Sequence, residues 1–205
     1  MDDREQLLEM LVRYSYRQER EPVFRLTSGR LSDVYINCKT TTMRRDAAPL
    51  IARLFERHVP PGAEAVGGLT AGADPIAYAM RDFCAERPVH AFMVRKEPKG
   101  HGLGLGIEGP VERGMKVVVV DDVATTGGST ITAIQRCRAE DVQLRVVAVA
   151  VLVDRQEGGL EAIKMEAGPD VPVSAIFTKQ ELQARWAAGN REGGAAAPGS
   201  RALAG

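Results

Sequence analysis

Residues 117–129 read Val-Val-Val-Val-Asp-Asp-Val-Ala-Thr-Thr-Gly-Gly-Ser, and this stretch decides the fold. Four consecutive valines, bounded by turn residues, predict a strand that is buried on both faces, which is typical of a parallel sheet. Asp121 and Asp122 follow the valines, so we expect the strand to end there, at the carboxyl edge of the sheet. That edge is where open α/β sheets bind ligands.

The residues after Ala124 predict an anion site. Thr-Thr-Gly-Gly-Ser precedes a predicted helix over 129–139, and a glycine-rich turn that opens a helix points free N–H groups and the helix dipole at a ligand. Two carboxylates beside such a turn suit a sugar phosphate, because they can accept hydrogen bonds from vicinal ribose hydroxyls. The alternative is an ordinary strand end with an Asp-rich turn and a Ser-capped helix. Two consecutive carboxylates before this turn make that a minority interpretation.

Composition limits the class of protein. The chain has 205 residues, of which 44% are hydrophobic and 26% charged, as in an ordinary globular domain. Lys+Arg and Asp+Glu both number 27, and this zero net charge argues against bulk nucleic-acid binding. Three widely spaced cysteines and an N-terminus without an apolar signal core favour a cytoplasmic protein. We expect no membrane partner, because the longest apolar run, Val146–Val153, is too short to span a bilayer.

The order of elements predicts an α/β fold with a mostly parallel sheet flanked by helices. We expect one domain over residues 1–188 and a disordered tail over 189–205, where Gly, Ala, Ser and Pro show no periodicity. Helices are predicted over 2–18, 46–57, from Asp74-Pro75 onward, and over 129–139, 158–165 and 179–188. Strands are predicted over 24–26, 34–37, 63–67, 89–94, 116–120, 144–153 and 173–177.

Three further segments carry chemistry. Residues 95–102, Arg-Lys-Glu-Pro-Lys-Gly-His-Gly, place three cations and a histidine on a glycine-rich loop that can close over a polyanion, although a solvated surface loop is the alternative. Arg155 follows a predicted strand, and its guanidinium fork matches a planar acid; a salt bridge with Asp154 or Glu157 is the alternative. Main-chain N–H groups of residues 67–74 could hold a diphosphate.

These segments resemble one family in their order along the chain. Residues 117–129 resemble, at all thirteen positions, the 5-phospho-α-D-ribosyl 1-diphosphate (PRPP) signature of the type I phosphoribosyltransferases. Residues 95–102 are similar to the catalytic loop of the orotate phosphoribosyltransferase family, and residues 24–37 to its N-terminal substrate segment. The resemblance covers roughly residues 20–180. It departs from the pattern at Thr27, where many members have Lys, and in residues 68–73, which contain no Lys.

The resemblance implies the type I phosphoribosyltransferase fold with a small N-terminal substrate-binding elaboration. The implied reaction joins orotate to PRPP and yields orotidine 5′-phosphate and diphosphate, in the de novo synthesis of UMP. Mg²⁺ is implied as a cofactor, held mainly by PRPP oxygens and water, and a homodimer is implied because the family's loop reaches the partner's site.

The resemblance also assigns roles. The implied catalytic residues are Lys99, His101, Asp121 and Asp122. The residues implied to bind orotate are Thr125 and Arg155. The protein itself is expected to supply no metal ligand. PRPP binding falls to Arg95, Lys96, Lys99, His101, Asp121, Asp122, Val123, Ala124, Thr125, Thr126, Gly127, Gly128 and Ser129.

Two alternatives stay open. A purine-type phosphoribosyltransferase would also contain a segment like residues 117–129. It would not explain the sequence of residues 95–102 or the presence of Arg155. A non-catalytic PRPP-sensing regulator would normally add a basic DNA-binding module, and this chain has no basic N-terminal segment.

Overall fold

The computed structural model describes residues 1–25, 31–96, 106–139 and 142–192, without the side chains of residues 190–192. The helices are α1 (Asp3–Met10), α2 (Lys39–Thr42), α3 (Ala48–Glu56), α4 (Asp74–Phe83), α5 (Gly128–Arg138), α6 (Gly159–Ala167) and α7 (Lys179–Glu192). The strands are β1 (Tyr16–Gln18), β2 (Phe24–Arg25), β3 (Leu31–Ser32), β4 (Val34–Ile36), β5 (Ala65–Leu69), β6 (His90–Val94), β7 (Ile107–Glu108), β8 (Lys116–Ala124), β9 (Arg145–Asp154) and β10 (Val173–Thr178).

The central sheet has the strand order β10-β9-β8-β5-β6-β7. All neighbouring strands run parallel except β6 and β7, which are antiparallel. This arrangement confirms the predicted mostly parallel sheet. Two antiparallel ribbons, β1 with β4 and β2 with β3, form the small N-terminal elaboration.

Helices cover both faces of the sheet, and the valine run serves both layers. Val118 and Val120 pack into a core built with α1, α3 and α4, whereas Val117 and Val119 pack into a second core with α5 and α6. Adjacent side chains of a strand point to opposite faces, so a strand between two helical layers must be apolar on both sides. This is the burial that the sequence predicts.

The strand that carries the two acids is longer than predicted. We expected it to end before Asp121, but β8 continues to Ala124 because β9 keeps pairing with it as far as Asp154. On its other side, β5 pairs with β8 only as far as Val119. The acids therefore lie within the strand, in a part of β8 that has a sheet neighbour on one side only.

The ends of the described chain differ from prediction in two ways. The predicted helix over 2–18 stops at Met10, because a π-helical turn (Leu11–Ser15) leads into a strand that pairs with β4. The last helix runs to Glu192 instead of 188, so the first residues of the predicted tail are helical. Residues 193–205 lie outside the described part, and the disorder there stays a prediction. Within the described residues, no helix has the length and apolar character needed to cross a membrane.

Candidate active site

Asp121 is held by three hydrogen-bond donors. The hydroxyls of Ser129 and Thr130, in the first turn of α5, donate to its Oδ2 over 2.6 and 2.8 Å, and the Asp122 N–H donates to its Oδ1 over 2.9 Å. Burial and the neighbouring Asp122 charge raise the pKa of Asp121 to about 6, against the lowering effect of these donors. The side chain is thus fixed in one orientation at the start of α5.

Asp122 lies close to a lysine from the helix that follows the N-terminal ribbons. Its Oδ2 lies 3.9 Å from the Nζ of Lys39, which begins α2. Among the described residues this buried oxygen has no hydrogen-bond partner. Burial raises the pKa of Asp122, and the Lys39 charge opposes that rise. Burial, followed by the charge of Asp122, raises the pKa of the adjacent Cys38 thiol well above its ordinary value.

The glycine-rich turn after β8 has the geometry of an anion cradle. Gly127 adopts φ +82°, a left-handed conformation that favours glycine, and no side chain of the described residues caps α5 behind it. The turn packs tightly on the start of α6: a Cβ on Gly159 would stand 2.6 Å from the carbonyl oxygen of Thr125. The uncapped N-terminus of α5 offers N–H groups and positive dipole potential to an anion.

The loop over residues 68–73 lies directly against the acid pair. A Cβ on Gly72 would stand 2.6 Å from Asp122 Oδ1 and 3.2 Å from Asp121 Oδ1. A Cβ on Gly68 would stand 2.1 Å from the carbonyl oxygen of Val120. Only glycine fits such an approach, so the small residues of this loop bring its backbone to the acids.

Arg155 follows β9 and is buried, with 6% of its surface exposed. Its backbone N–H donates to the carbonyl of Ala124 over 2.9 Å, which places it beside the turn after β8. Its Nη2 pairs with Glu157 Oε1 at 3.1 Å, so one of the two salt bridges considered as the alternative is present. The buried Nε has no hydrogen-bond partner within the described residues, and it can therefore donate to a ligand.

The charged loop begins at a cleft of about 530 Å³ that is lined by Thr70, Met93, Arg95, Lys96 and Glu108. Arg95 is not free there, because its Nη1 pairs with Glu108 Oε1 at 2.6 Å. The acid pair does not line this cleft. Loop 68–73 connects the two, since Thr70 lines the cleft and Gly72 contacts the acids.

The structure thus brings together most of the predicted site residues that it describes. Lys99, His101 and Thr27 lie outside the described residues. Lys39 and the role of Gly72 were not predicted from the sequence. Lys39 comes two residues after the end of the predicted substrate segment 24–37, and its position there was the signal available.

Comparison with known proteins agrees with this geometry. A family model described as "Phosphoribosyl transferase domain" matches residues 69–169. The orotate phosphoribosyltransferase of Aquifex aeolicus is 40% identical over 185 residues, which cover 89% of this chain and 98% of that protein. The chain belongs to the orotate phosphoribosyltransferase family. Another family member, from Synechocystis sp., is 43% identical over 183 residues, which cover 88% of each protein.

A solved structure of the same family shares the fold. Mycobacterium tuberculosis orotate phosphoribosyltransferase in complex with PRPP has a TM-score of 0.73 and 36% identity, with 89% of this chain and 99% of that chain covered. The predicted type I phosphoribosyltransferase fold is therefore confirmed.

Proposed function

We propose that this protein is an orotate phosphoribosyltransferase, which transfers the ribose 5-phosphate group of PRPP to orotate and releases diphosphate. This reaction yields orotidine 5′-phosphate for UMP biosynthesis. The observation that carries the proposal is that the buried acids Asp121 and Asp122 lie next to the N-terminus of α5, which no described side chain caps. The chain's membership of the family fixes the choice of orotate as the acceptor.

The acid pair and the turn after it hold the sugar phosphate. Asp122 Oδ2, with no hydrogen-bond partner among the described residues, accepts a ribose hydroxyl, and Asp121 is fixed beside it by α5. The N–H groups of the turn from Thr125 to Ser129 and the dipole of α5 bind the 5′-phosphate. Sugar and phosphate are thereby oriented by groups that already have their final positions, which is how positioning lowers a barrier.

Arg155 provides the contact that distinguishes orotate. A buried guanidinium whose Nε has no hydrogen-bond partner among the described residues can donate to a carboxylate or to ring carbonyls, and burial strengthens such a bond. Thr125, on the turn that Arg155 touches through Ala124, completes the orotate side. A purine has no carboxylate for this guanidinium, so the purine-type alternative is disfavoured.

Displacement at the anomeric carbon passes through an oxocarbenium-like state, while negative charge develops on the departing diphosphate. The protein's task is to stabilise that charge. Lys96, at the cleft, and Lys99 and His101, on the loop that follows, supply positive charge for it, and Arg95 joins them by leaving Glu108. Loop 68–73 contributes backbone N–H groups other than those of Thr70 and Ala73, which donate to the carbonyls of Val94 and Leu69.

Mg²⁺ would bind together with PRPP. The described cleft beside loop 68–73 offers the Thr70 hydroxyl and a Glu108 carboxylate that is already paired with Arg95. This donor set fits an ion whose ligands are mainly substrate oxygens and water, which is the coordination Mg²⁺ prefers. Bound in that way, it neutralises part of the diphosphate charge.

A panel of bases tests the proposed activity. The purified protein is incubated with PRPP and Mg²⁺ together with orotate, uracil, adenine or hypoxanthine, and the loss of each base is followed. We expect orotate alone to be consumed. Consumption of a purine at least as fast as orotate would assign the chain to the purine-type enzymes, and no consumption of any base would favour the PRPP-sensing regulator.

We also propose a homodimer with shared active sites, in the cytoplasm. The family resemblance of loop 95–102 supports the shared sites, and three free, buried thiols (Cys38, Cys84 and Cys137) support a reducing compartment. Mixing inactive Lys99→Ala and Asp122→Asn proteins should restore activity, because one site of the hybrid has both an intact loop and an intact acid. No recovery despite demonstrated subunit exchange would argue against shared sites.

A further inference from the structure

Lys39 and Asp122 have an unusual relationship for an ion pair. The ammonium of Lys39 lies 3.9 Å from Asp122 Oδ2, with 48% of the lysine side chain exposed and only 8% of the aspartate. That oxygen accepts no hydrogen bond from any described residue. A buried carboxylate oxygen without a donor is costly and is rare in proteins, which suggests that it is kept free for a purpose.

The distance decides what Lys39 can do. A direct N–H···O bond spans about 2.7–3.2 Å, so 3.9 Å is too long for one. A unit charge at this separation still favours the ionised carboxylate strongly in a partly buried site. Lys39 therefore supplies charge to Asp122 without occupying the lone pairs of Oδ2.

The other groups around Asp122 make this charge necessary. Burial has the largest effect on the pKa of Asp122 and raises it, and the charge of Lys39 is the strongest influence that opposes this rise, ahead of the hydrogen bonds with the backbone and with Asp121. The Cys38 thiol from the segment before α2 is neutral because burial raises its pKa, and Arg155, beyond β9, has its Nη2 paired with Glu157. Gly72, in the loop packed against Asp122, has no side chain, and residues 68–73 contain no Lys or Arg.

We propose that Lys39 is a positioning residue of the reaction, whose ammonium keeps Asp122 charged while leaving Oδ2 free to accept a ribose hydroxyl of PRPP. The second half of this inference rests on the proposed function. A lysine suits the task because its ammonium is strongly hydrated and its long stem is flexible. It can stay at ion-pair distance in the empty site and withdraw as the sugar arrives.

The test uses three variants of the full-length protein. Lys39→Gln removes the charge, Lys39→Arg restores it, and Lys116→Gln removes one charge at the opposite end of the same strand as a matched control. The first readout is the pH profile of kcat/KM for PRPP. The second is the titration of the Asp122 carboxyl by carbon NMR in the ligand-free protein, which needs no activity.

Loss of Lys39 should raise the pH at which Asp122 ionises. In Lys39→Gln we expect the acidic limb of kcat/KM and the carboxyl titration to move up by about one pH unit. At a fixed pH on that limb, one unit is about a tenfold loss, expected mainly in KM. The variant and the wild type should converge at alkaline pH. Lys39→Arg should restore the wild-type profile, and Lys116→Gln should not change it.

Three outcomes overturn the inference. An unshifted carboxyl titration in Lys39→Gln shows that Lys39 does not control Asp122. A loss of activity that is equal at every pH shows that Lys39 contacts the substrate directly. A shift of the same size in Lys116→Gln shows a general charge effect. If the wild type converts no orotate, the proposed function fails, but the NMR titration still decides whether Lys39 controls Asp122.

Discussion

Gly72 lies so close to Asp122 that a Cβ atom on residue 72 would stand 2.6 Å from Asp122 Oδ1. Real Cβ atoms essentially never approach a heavy atom this closely, so either the loop or the carboxylate would have to shift. The backbone of loop 68–73 and the acid pair therefore form one packed unit. A change in the loop is transmitted to the group that receives the ribose.

Gly72→Ala should damage activity far more than folding. The added methyl group displaces Asp122 or the loop, and a misplacement of about 1 Å in an active site costs on the order of 10²-fold in rate. We expect a loss of about that size in kcat/KM for PRPP, measured by steady-state kinetics, with a small change in Tm. Full activity in Gly72→Ala would show that the contact with Asp122 is loose.

Gly189→Ala is the matched control. This glycine lies in α7, and a Cβ there would meet nothing within 4 Å. Because alanine restricts the unfolded chain and favours a helix, we expect a gain of roughly 0.5–1 kcal/mol in unfolding free energy and unchanged kinetics. The two glycine variants separate a steric effect at the site from a general effect of the substitution.

Asp121 should make the protein less stable as the pH rises through the weakly acidic range. Burial raises its folded-state pKa to about 6 from its ordinary value of 3.8. The folded state therefore holds the proton more tightly, and this contribution to stability is present at low pH and is lost between about pH 4 and 6. The unfolding free energy of wild type should fall across that window relative to Asp121→Asn, which cannot titrate.

Denaturant unfolding of both proteins from pH 4 to 7 measures this difference. The pKa change from 3.8 to about 6 corresponds to a relative gain of about 2 to 3 kcal/mol for Asp121→Asn. Asp82→Asn is the control, because Arg81 lowers the pKa of this exposed carboxyl, so its titration lies below this pH range and its difference from wild type should stay constant from pH 4 to 7. A difference between wild type and Asp121→Asn that does not change with pH would show that Asp121 is ionised normally.

The sequence predicted the mostly parallel sheet and the glycine-rich turn before α5 because those features are local. Four consecutive valines require burial on both faces of the strand. A glycine-rich turn followed by apolar residues at helical spacing indicates the start of a helix. The length of β8 was not predictable in this way. Its extension to Ala124 depends on continued pairing with β9. That pairing is determined by the alignment of two strands that a helix separates in sequence.

Lys39 and Gly72 were not identified for a similar reason. Each acts through Asp122, and the pairs are separated by long stretches of chain that only the fold brings together. The strand β1 was predicted as helix because its residues continue the pattern of α1, and pairing with β4 overrides that local preference. Long-range contacts, not local propensity, decided these points.

Arg155→Lys should weaken orotate binding and leave PRPP binding intact. Lysine keeps the charge but cannot reproduce the donor pattern of a guanidinium, and a bond to a charged group contributes about 1.5–3 kcal/mol. We expect KM for orotate to rise by roughly 10- to 100-fold. Arg81→Lys, which alters a surface pair with Asp82, is the control and should change neither KM. An unchanged KM for orotate in Arg155→Lys would show that Arg155 serves only its pair with Glu157.

The most direct measurement of the central claim is the product balance of the reaction in wild type and in Asp122→Asn. Orotidine 5′-phosphate and diphosphate are quantified together after incubation with PRPP, Mg²⁺ and orotate. We expect equal amounts of the two products from wild type, little diphosphate without orotate, and a loss of both products in Asp122→Asn with an almost unchanged Tm. Equal turnover by Asp122→Asn, or diphosphate release from wild type without orotidine 5′-phosphate, would contradict it.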